Sequence, residues 1–243
     1  LEKTGRKGVT PEAARTLVRT NNTVIAALAV ARGEADALLC GLEGQFRNHF
    51  GVIRDVIGLQ PGNHRFSSMS LLISSESTTF LTDTYVNVDP TAEEIAELTQ
   101  LAAAQVRRFG ITPKVALLSH SNFGSHDTES SKKMRRAVEL LWECAPELEV
   151  DGEMHGDAAL SELLREKAMP GGKLSGEANL LVFPNLDAAN ITLNVVKVMT
   201  DALHVGPLLL GPAKPAHILT PSVTSRGVAN MTTLAAVEAQ NAS

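Results

Sequence analysis

Twice in this sequence a short apolar run breaks into a polar loop, and the loop gives way to a helical pattern. "PKVALL" leads through "SHSNFGS" to Met134, Ala137, Val138 and Leu141 at helical spacing, and "ANLLVFP" leads through "NLDAAN" to a helical face of Ile191, Val195, Val198 and Met199. A strand buried on both faces reads as a continuous apolar run. Strands joined through helices pair in parallel, because a parallel pair needs a long crossover. The alternation therefore points to an α/β fold with mainly parallel sheets covered by helices on both sides.

The remaining segments fit that class. Thr10 is placed to cap a helix that begins at Pro11, and Asn21-Asn22 divides "TPEAARTLVRTNNTVIAALAVAR" into two helices. "ADALLCG" reads as a buried strand ending at Gly41, and "FRNHFGVIRDVIGL" as a helix. "SMSLLISS" and "TTFLTDTYVNV", separated by "SES", read as a hairpin, and "DPTAEEIAELTQLAAAQVRRFG" as a helix opened by Asp89-Pro90 and closed by Gly110. No repeat or low-complexity tract interrupts the series.

A chain of 243 residues, 44% hydrophobic and 20% charged, can form one large domain or two smaller ones with their own cores. Its net charge of -5 gives no reason to expect a nucleic-acid partner. No apolar stretch approaches the roughly 20 residues needed to cross a bilayer, and "LEKTGRKGVTPEAAR" lacks the apolar segment of a signal peptide, so the expectation is a cytoplasmic protein without a membrane partner. The first residue is Leu1, and no strand precedes the first helix, which suggests a fragment of something longer. Cys40 and Cys144 both read as small buried apolar residues.

In an open α/β sheet, ligands bind beyond the carboxyl ends of the strands, which selects "CGLEGQFR", "SHSNFGS" and "PNLDAAN". In the second loop Ser119, Ser121, Asn122 and Ser125 supply hydroxyl and amide donors, Gly124 permits close backbone approach, and the next helix adds free N–H groups. Either this loop is an anion cradle or Ser125 or Asp127 merely caps the helix. "DGEMHGDAA" places Asp151, Glu153, His155 and Asp157 within seven residues, as a metal site or a solvated polar edge would. The other histidines are scattered, and no zinc set or Ser-His-Asp triad can be assembled. In "TSRGVANMT", Ser225 and Arg226 fall in the loop before the last helix, where Arg226 suits a phosphate or carboxylate or is simply solvated.

"RGEADALLCG", "DTYVNVDPTAEEIAELTQLAAAQVRRFGITPKVALLSHSNFGS", "VDGEMHGDAAL", "ANLLVFPNLDAANI", "VGPLLLGPAKP" and "SRG" together resemble the phosphate acetyltransferase (phosphotransacetylase) family, from about Lys7 to the C-terminus. The resemblance implies two three-layer α/β/α lobes with mainly parallel sheets facing a cleft for coenzyme A and acetyl phosphate. The first lobe, residues 1–107 and 217–243, would lack its opening strand-helix units, and residues 108–216 would form the inserted second lobe. The family's catalytic Asp, seven residues after the Ser of "SRG", is replaced by Thr232, which cannot serve as a base at neutral pH. Val198, beside Lys197, stands where the enzymes carry an Arg, and another family Arg falls near Gly51, flanked by Arg47 and Arg54.

"FRNHFGVIRDVIGL", "NVVKVM" and "PAHILTPSVTSRGVANMTTLA" resemble most the version of this domain at the C-terminus of bacterial NADP-dependent malic enzymes. That implies an acetyl-CoA-sensing region that binds through Ser119, Ser121, Asn122, Gly124, Ser125, Asn190, Ser225 and Arg226, with no catalytic residue and no metal or cofactor of its own. NADP and a divalent metal would serve the parent enzyme. The expected partners are acetyl-CoA, a second copy of the chain, and an N-terminal malic enzyme domain of the same polypeptide. The alternatives are an active phosphate acetyltransferase and a module that only oligomerises.

Overall fold

The computed structural model describes residues 5–241; residues 1–4 and 242–243, the outer ends of the expected first lobe, lie outside the described residues. In chain order the elements are a 3-10 turn (Gly5–Lys7), α1 (Pro11–Thr20), α2 (Asn22–Ala31), β1 (Leu38–Cys40), α3 (Phe46–Val56), β2 (Ser67–Ile73) and β3 (Thr78–Thr82). They continue as α4 (Ala92–Arg108), β4 (Lys114–Leu118), α5 (Glu129–Cys144), β5 (Glu149–Met154), α6 (Gly156–Leu160) and α7 (Glu162–Ala168). The last are β6 (Leu180–Val182), α8 (Leu186–Met199), β7 (Leu203–Leu210), β8 (Ala216–Ile218) and α9 (Ser225–Asn241). Two compact units result: Leu1–Phe66 with Gly206–Ser243, and Ser67–Val205.

In the first unit β1 and β8 pair in parallel. Asn21 does what the double Asn suggests: its N–H closes α1 on Leu17 O, and its side chain caps α2 by accepting from Val24 N. Gly41 ends β1 at φ 98°, and a Cβ there would lie 2.3 Å from Leu219 O, so only glycine fits. Buried His217 accepts from Leu209 N at Nδ1 (3.1 Å), which leaves the proton on Nε2 to be donated to Glu238 Oε2 (2.9 Å). That bond ties β8 to α9.

The second unit is built on a sheet with strands in the order β5-β4-β6-β3-β2, in which β3, β6, β4 and β5 run parallel and β2 is antiparallel to β3. α4 and α5 pack together on one face, burying Ile95, Leu98, Ala102 and Val106 beside Met134, Ala137, Val138 and Leu141. On the other face Leu81, Ala116, Leu118 and Leu181 meet Ala158 and Ala159 of α6 and Ala189 and Leu193 of α8. Alternate residues of each strand thus serve opposite layers. Trp142 of α5 donates from Nε1 to Val150 O (3.0 Å), and Lys173 Nζ lies 3.7 Å from its ring centroid. Arg165 of α7, 1% exposed, holds three carbonyls, those of Ala158, Leu174 and Gly176.

The compact units divide at 66/67 and 205/206, and the β2–β3 hairpin lies in the sheet of the second unit, where Phe80 pairs with Leu180. Two expectations differ from what is observed. The apolar face of α8 is periodic as read, but Ile191, Val195, Val198 and Met199 are exposed, and Ala189 and Leu193 face the core. Cys144 is exposed, its sulfur 3.4 Å from Gln100 Nε2, while Cys40 is largely buried and its thiol is pushed up to about 12 by desolvation.

Candidate functional site

The four parallel strands of the second unit deliver their C-terminal loops to one edge of the sheet. His155 follows β5, Ser119 to His126 follow β4, Asn185 and α8 follow β6, and Asp83 to Asn87 follow β3. Two buried carboxylates organise this edge.

Glu153 owes its position to a local break in register. Leu117 is paired with Gly152 but Leu118 with Met154, so Glu153 is an extra residue in β5. Gly152 makes the bulge possible: it adopts φ 144°, and a Cβ on it would come 2.6 Å from Leu117 O. The bulge turns the Glu153 side chain, 1% exposed, into the loop after β4. There Oε1 accepts from Ser121 Oγ (2.7 Å), Gly124 N (2.9 Å) and Arg135 Nη2 (3.1 Å), while Oε2 accepts from Arg135 Nε (3.1 Å). Burial alone would raise its pKa, but the bonds from Arg135, Ser121 and Gly124 outweigh desolvation and hold the carboxyl below its ordinary value.

Asp83 plays the corresponding part after β3. Its carboxylate is buried and accepts from the backbone N–H groups of Ser68, Tyr85, Val86 and Asn87, and from the side chains of Ser68 and Asn87.

The predicted site residues fall into three groups. Ser119, Ser121, Asn122, Gly124 and Ser125 are knitted into one loop: Ser121 N donates to Ser119 Oγ, Asn122 N to Ser125 Oγ, His126 N to Ser121 Oγ, and His155 N to Asn122 Oδ1. Neither Ser125 nor Asp127 caps the following helix, because Thr128 does, with Ser131 completing a capping box. α5 therefore starts at Glu129, and its first turn meets the loop through Ser131 Oγ, which donates to His126 O (2.7 Å). Asn190 stands on α8 and donates to Thr84 O (3.1 Å), in the loop after β3. Ser225 and Arg226 belong to the first unit. They are the first two residues of α9, not members of the preceding loop, because Thr224 accepts from Gly227 N (3.1 Å) and caps the helix. Both are exposed.

The acidic run of "DGEMHGDAA" does not converge on one point. Asp151 accepts from Gly152 N and Lys173 N, Glu153 from the loop just described, and Asp157 from Ala158 N, while His155 Nε2 bonds His120 O. Among the described residues no group of three His, Cys, Asp or Glu side chains is arranged to hold a metal ion. Asp83 and Glu153 were the organising residues that motif reading did not assign, and a Gly-Glu pair at a strand end was the available signal for the second.

Residues 1–236 match the phosphate acetyl/butaryl transferase family. The chain belongs to that family. Over 237 residues it is 66% identical to an NAD-dependent malic enzyme of Rhizobium meliloti (strain 1021), covering 98% of this chain and 31% of that protein. It is 53% identical over 236 residues to an NADP-dependent malic enzyme of Escherichia coli (strain K12), covering 97% and 31%. A solved phosphotransacetylase from Streptococcus pyogenes superposes with a TM-score of 0.90 at 29% identity, over 97% of this chain and 72% of that one. The chain thus spans about a third of the length of the malic enzymes it matches.

Against the phosphotransacetylase pattern, Thr232 is already committed within its own helix, donating to Val228 O (2.9 Å). Val198 is 87% exposed on α8. Arg47 and Arg54 bond Gln45 and Asp55 close by in the sequence.

Proposed function

We propose that this chain is an acetyl-CoA-sensing, phosphotransacetylase-like region of a malic enzyme, one that binds the acyl carrier without transferring the acetyl group. The observation that carries the reading is the pairing of 66% identity to part of a malic enzyme with a threonine, tied to Val228 O, where the transferase pattern has its base. A group that acts only in the transition state can be lost while ground-state recognition is kept, and binding without turnover is what a sensor requires.

Arg226 supports the binding part of this reading. It lies at the positive end of α9, where a cation is disfavoured by about 0.3–1 kcal/mol. A bound anion would reverse that sign, since the guanidinium and the free N–H groups of the first turn would act on it together. In the whole protein a preceding domain would oxidatively decarboxylate malate with a nicotinamide dinucleotide and a divalent metal. The relatives are named for NAD in one case and NADP in the other, so NADP is not singled out. Acetyl-CoA, formed downstream of pyruvate, would feed back on that reaction from the cytoplasm where both are made. Among the described residues no helix is long and apolar enough to cross a membrane.

The partner we propose for the exposed stripe of α8 is a second copy of the chain. Ile191, Val195, Val198 and Met199 form a continuous apolar face of a kind that monomers seldom leave in water. Val198→Asp is expected to shift sedimentation toward the mass of one chain, and unchanged sedimentation would remove α8 from the contact.

Two assays test the sensor. Acetyl phosphate formation by this chain is expected to match a control without enzyme, and acetyl-CoA is expected to lower malate oxidation by the full-length protein. Robust acetyl transfer would establish an active phosphate acetyltransferase instead, and insensitivity of the full-length enzyme to acetyl-CoA would refute the sensor.

A further inference from the structure

A loop that binds an external anion needs several N–H groups left free to converge on it. The loop after β4 has used almost all of its own. Between Ser119 and His126 the N–H groups of Ser119, Ser121, Asn122, Phe123, Gly124, Ser125 and His126 are bonded within the chain, to Met154 O, Ser119 Oγ, Ser125 Oγ, Glu153 O, Glu153 Oε1, Asn122 O and Ser121 Oγ. The place where an anion would sit is filled by the Glu153 carboxylate, and the nearby cation Arg135 is spent on it. Of the other cations of α5, Lys132 faces Asp127 at 3.4 Å, Lys133 is paired with Asp89 and Arg136 with Glu139.

Apart from the imidazoles of His120 and His126, what the loop has left is uncharged. Asn122 Oδ1 is taken by His155 N, which fixes the amide plane and leaves the Nδ2 hydrogens unused. Ser119 Oγ and Ser125 Oγ each accept one backbone N–H, so each keeps a hydroxyl hydrogen to give. We infer that this loop recognises a neutral carbonyl, that of a thioester or amide, and rejects phosphate. The inference rests on the proposed acetyl-CoA reading and assigns to this loop the acetyl-pantetheine end of the ligand, not its phosphates. A carbonyl oxygen is satisfied by one or two neutral donors. A phosphate dianion beside a buried carboxylate would lose its hydration and gain no cation in return.

The experiment follows the backbone amides of Ser119–His126 and the Asn122 side-chain amide by NMR while S-acetylpantetheine, inorganic phosphate and acetyl-CoA are added separately. S-acetylpantetheine is expected to shift the Asn122 amide, and phosphate at the same concentration to leave the loop unmoved. Asn122→Asp keeps the acceptor for His155 N–H and removes the donors, and is expected to weaken S-acetylpantetheine by up to about tenfold, the size of one lost hydrogen bond. Phosphate shifts in the loop, equal binding of S-acetylpantetheine by Asn122→Asp, or a loop silent to S-acetylpantetheine would each overturn the inference.

Acetyl-CoA that binds while the loop stays silent would also overturn it and leave the sensor standing. Loop shifts with S-acetylpantetheine but no binding of acetyl-CoA would do the reverse. As an independent check, Glu153→Ala should open the filled position, so that formate stabilises the variant against heat and not the parent. A folded variant indifferent to formate would refute the built-in anion, and if the variant does not fold, the phosphate titration of the parent decides the matter.

Discussion

The loop after β4 and the first turn of α9 carry similar residues, "SNFGS" and "TSRG", yet they are built in opposite ways. The loop has turned its donors inward onto Glu153 and is held shut by Arg135, whereas the helix start spends only Thr224 on its own cap and leaves Ser225 and Arg226 in solvent. A serine-glycine stretch near a helix is therefore not in itself an anion site. What decides is where the N–H groups go, and a buried carboxylate can use them before any ligand arrives.

The largest expected effect lies in the loop. Glu153→Ala leaves Arg135, Ser121 Oγ and Gly124 N without their acceptor, and should destabilise the second unit toward the lower end of the about 3–5 kcal/mol that breaking a buried pair costs, since Arg135 is partly in water. Urea unfolding measures this, and a change below 1 kcal/mol would mean that the loop holds without its internal anion. Acid should act on the same group. The Glu153 pKa is lower in the folded than in the unfolded state, so its contribution is present above the ordinary carboxylate range and is lost as pH falls through the folded-state value. Melting temperature against pH should show this loss, and Glu153→Gln should flatten the profile.

Next in size is the helix start, where the effect should fall on binding alone. Arg226→Ala is expected to cost about 1.5–3 kcal/mol of acetyl-CoA affinity, roughly tenfold or more, by calorimetry, with the melting temperature of the free protein nearly unchanged. Unaltered affinity would take Arg226 out of the site, and a large fall in melting temperature would show that the two regions are less different than they look. The smallest effect belongs to Thr224→Ala, which removes the cap of α9 and should cost about 1 kcal/mol of stability, read from the urea midpoint.

Local chemistry made much of this legible. Asn21 between two helices, the Ser-rich hairpin turn and the apolar runs of β4 and β6 each announce their element, because caps and buried strands are short-range effects. Pairings between distant segments did not show. The parallel register of β3 on β6 joins residues about a hundred apart, and it holds the hairpin in the second unit. The face of α8 was read with the right period, but periodicity does not say which side is covered, and Ala189 and Leu193 fill the core while the larger residues stay outside. In the site, Glu153 was visible only as one of three acids beside a histidine. Its role depends on a bulge that one glycine permits, and alternation along an unbroken strand would have placed it elsewhere.

The side chain that packs α5 onto β5 also makes the two units optically unequal. Trp142 is the chain's single tryptophan and Tyr85 its single tyrosine, and both belong to Ser67–Val205. Indole fluorescence therefore reports one unit alone, from a ring held against Val150 O and Lys173 beside the strand that carries Glu153. Far-ultraviolet circular dichroism sees both, since α1, α2, α3 and α9 lie in the other unit. If the two signals change together on unfolding, the units melt as one cooperative body; if they separate, the dark unit has its own transition, and its stability can be read by difference without labelling a single residue.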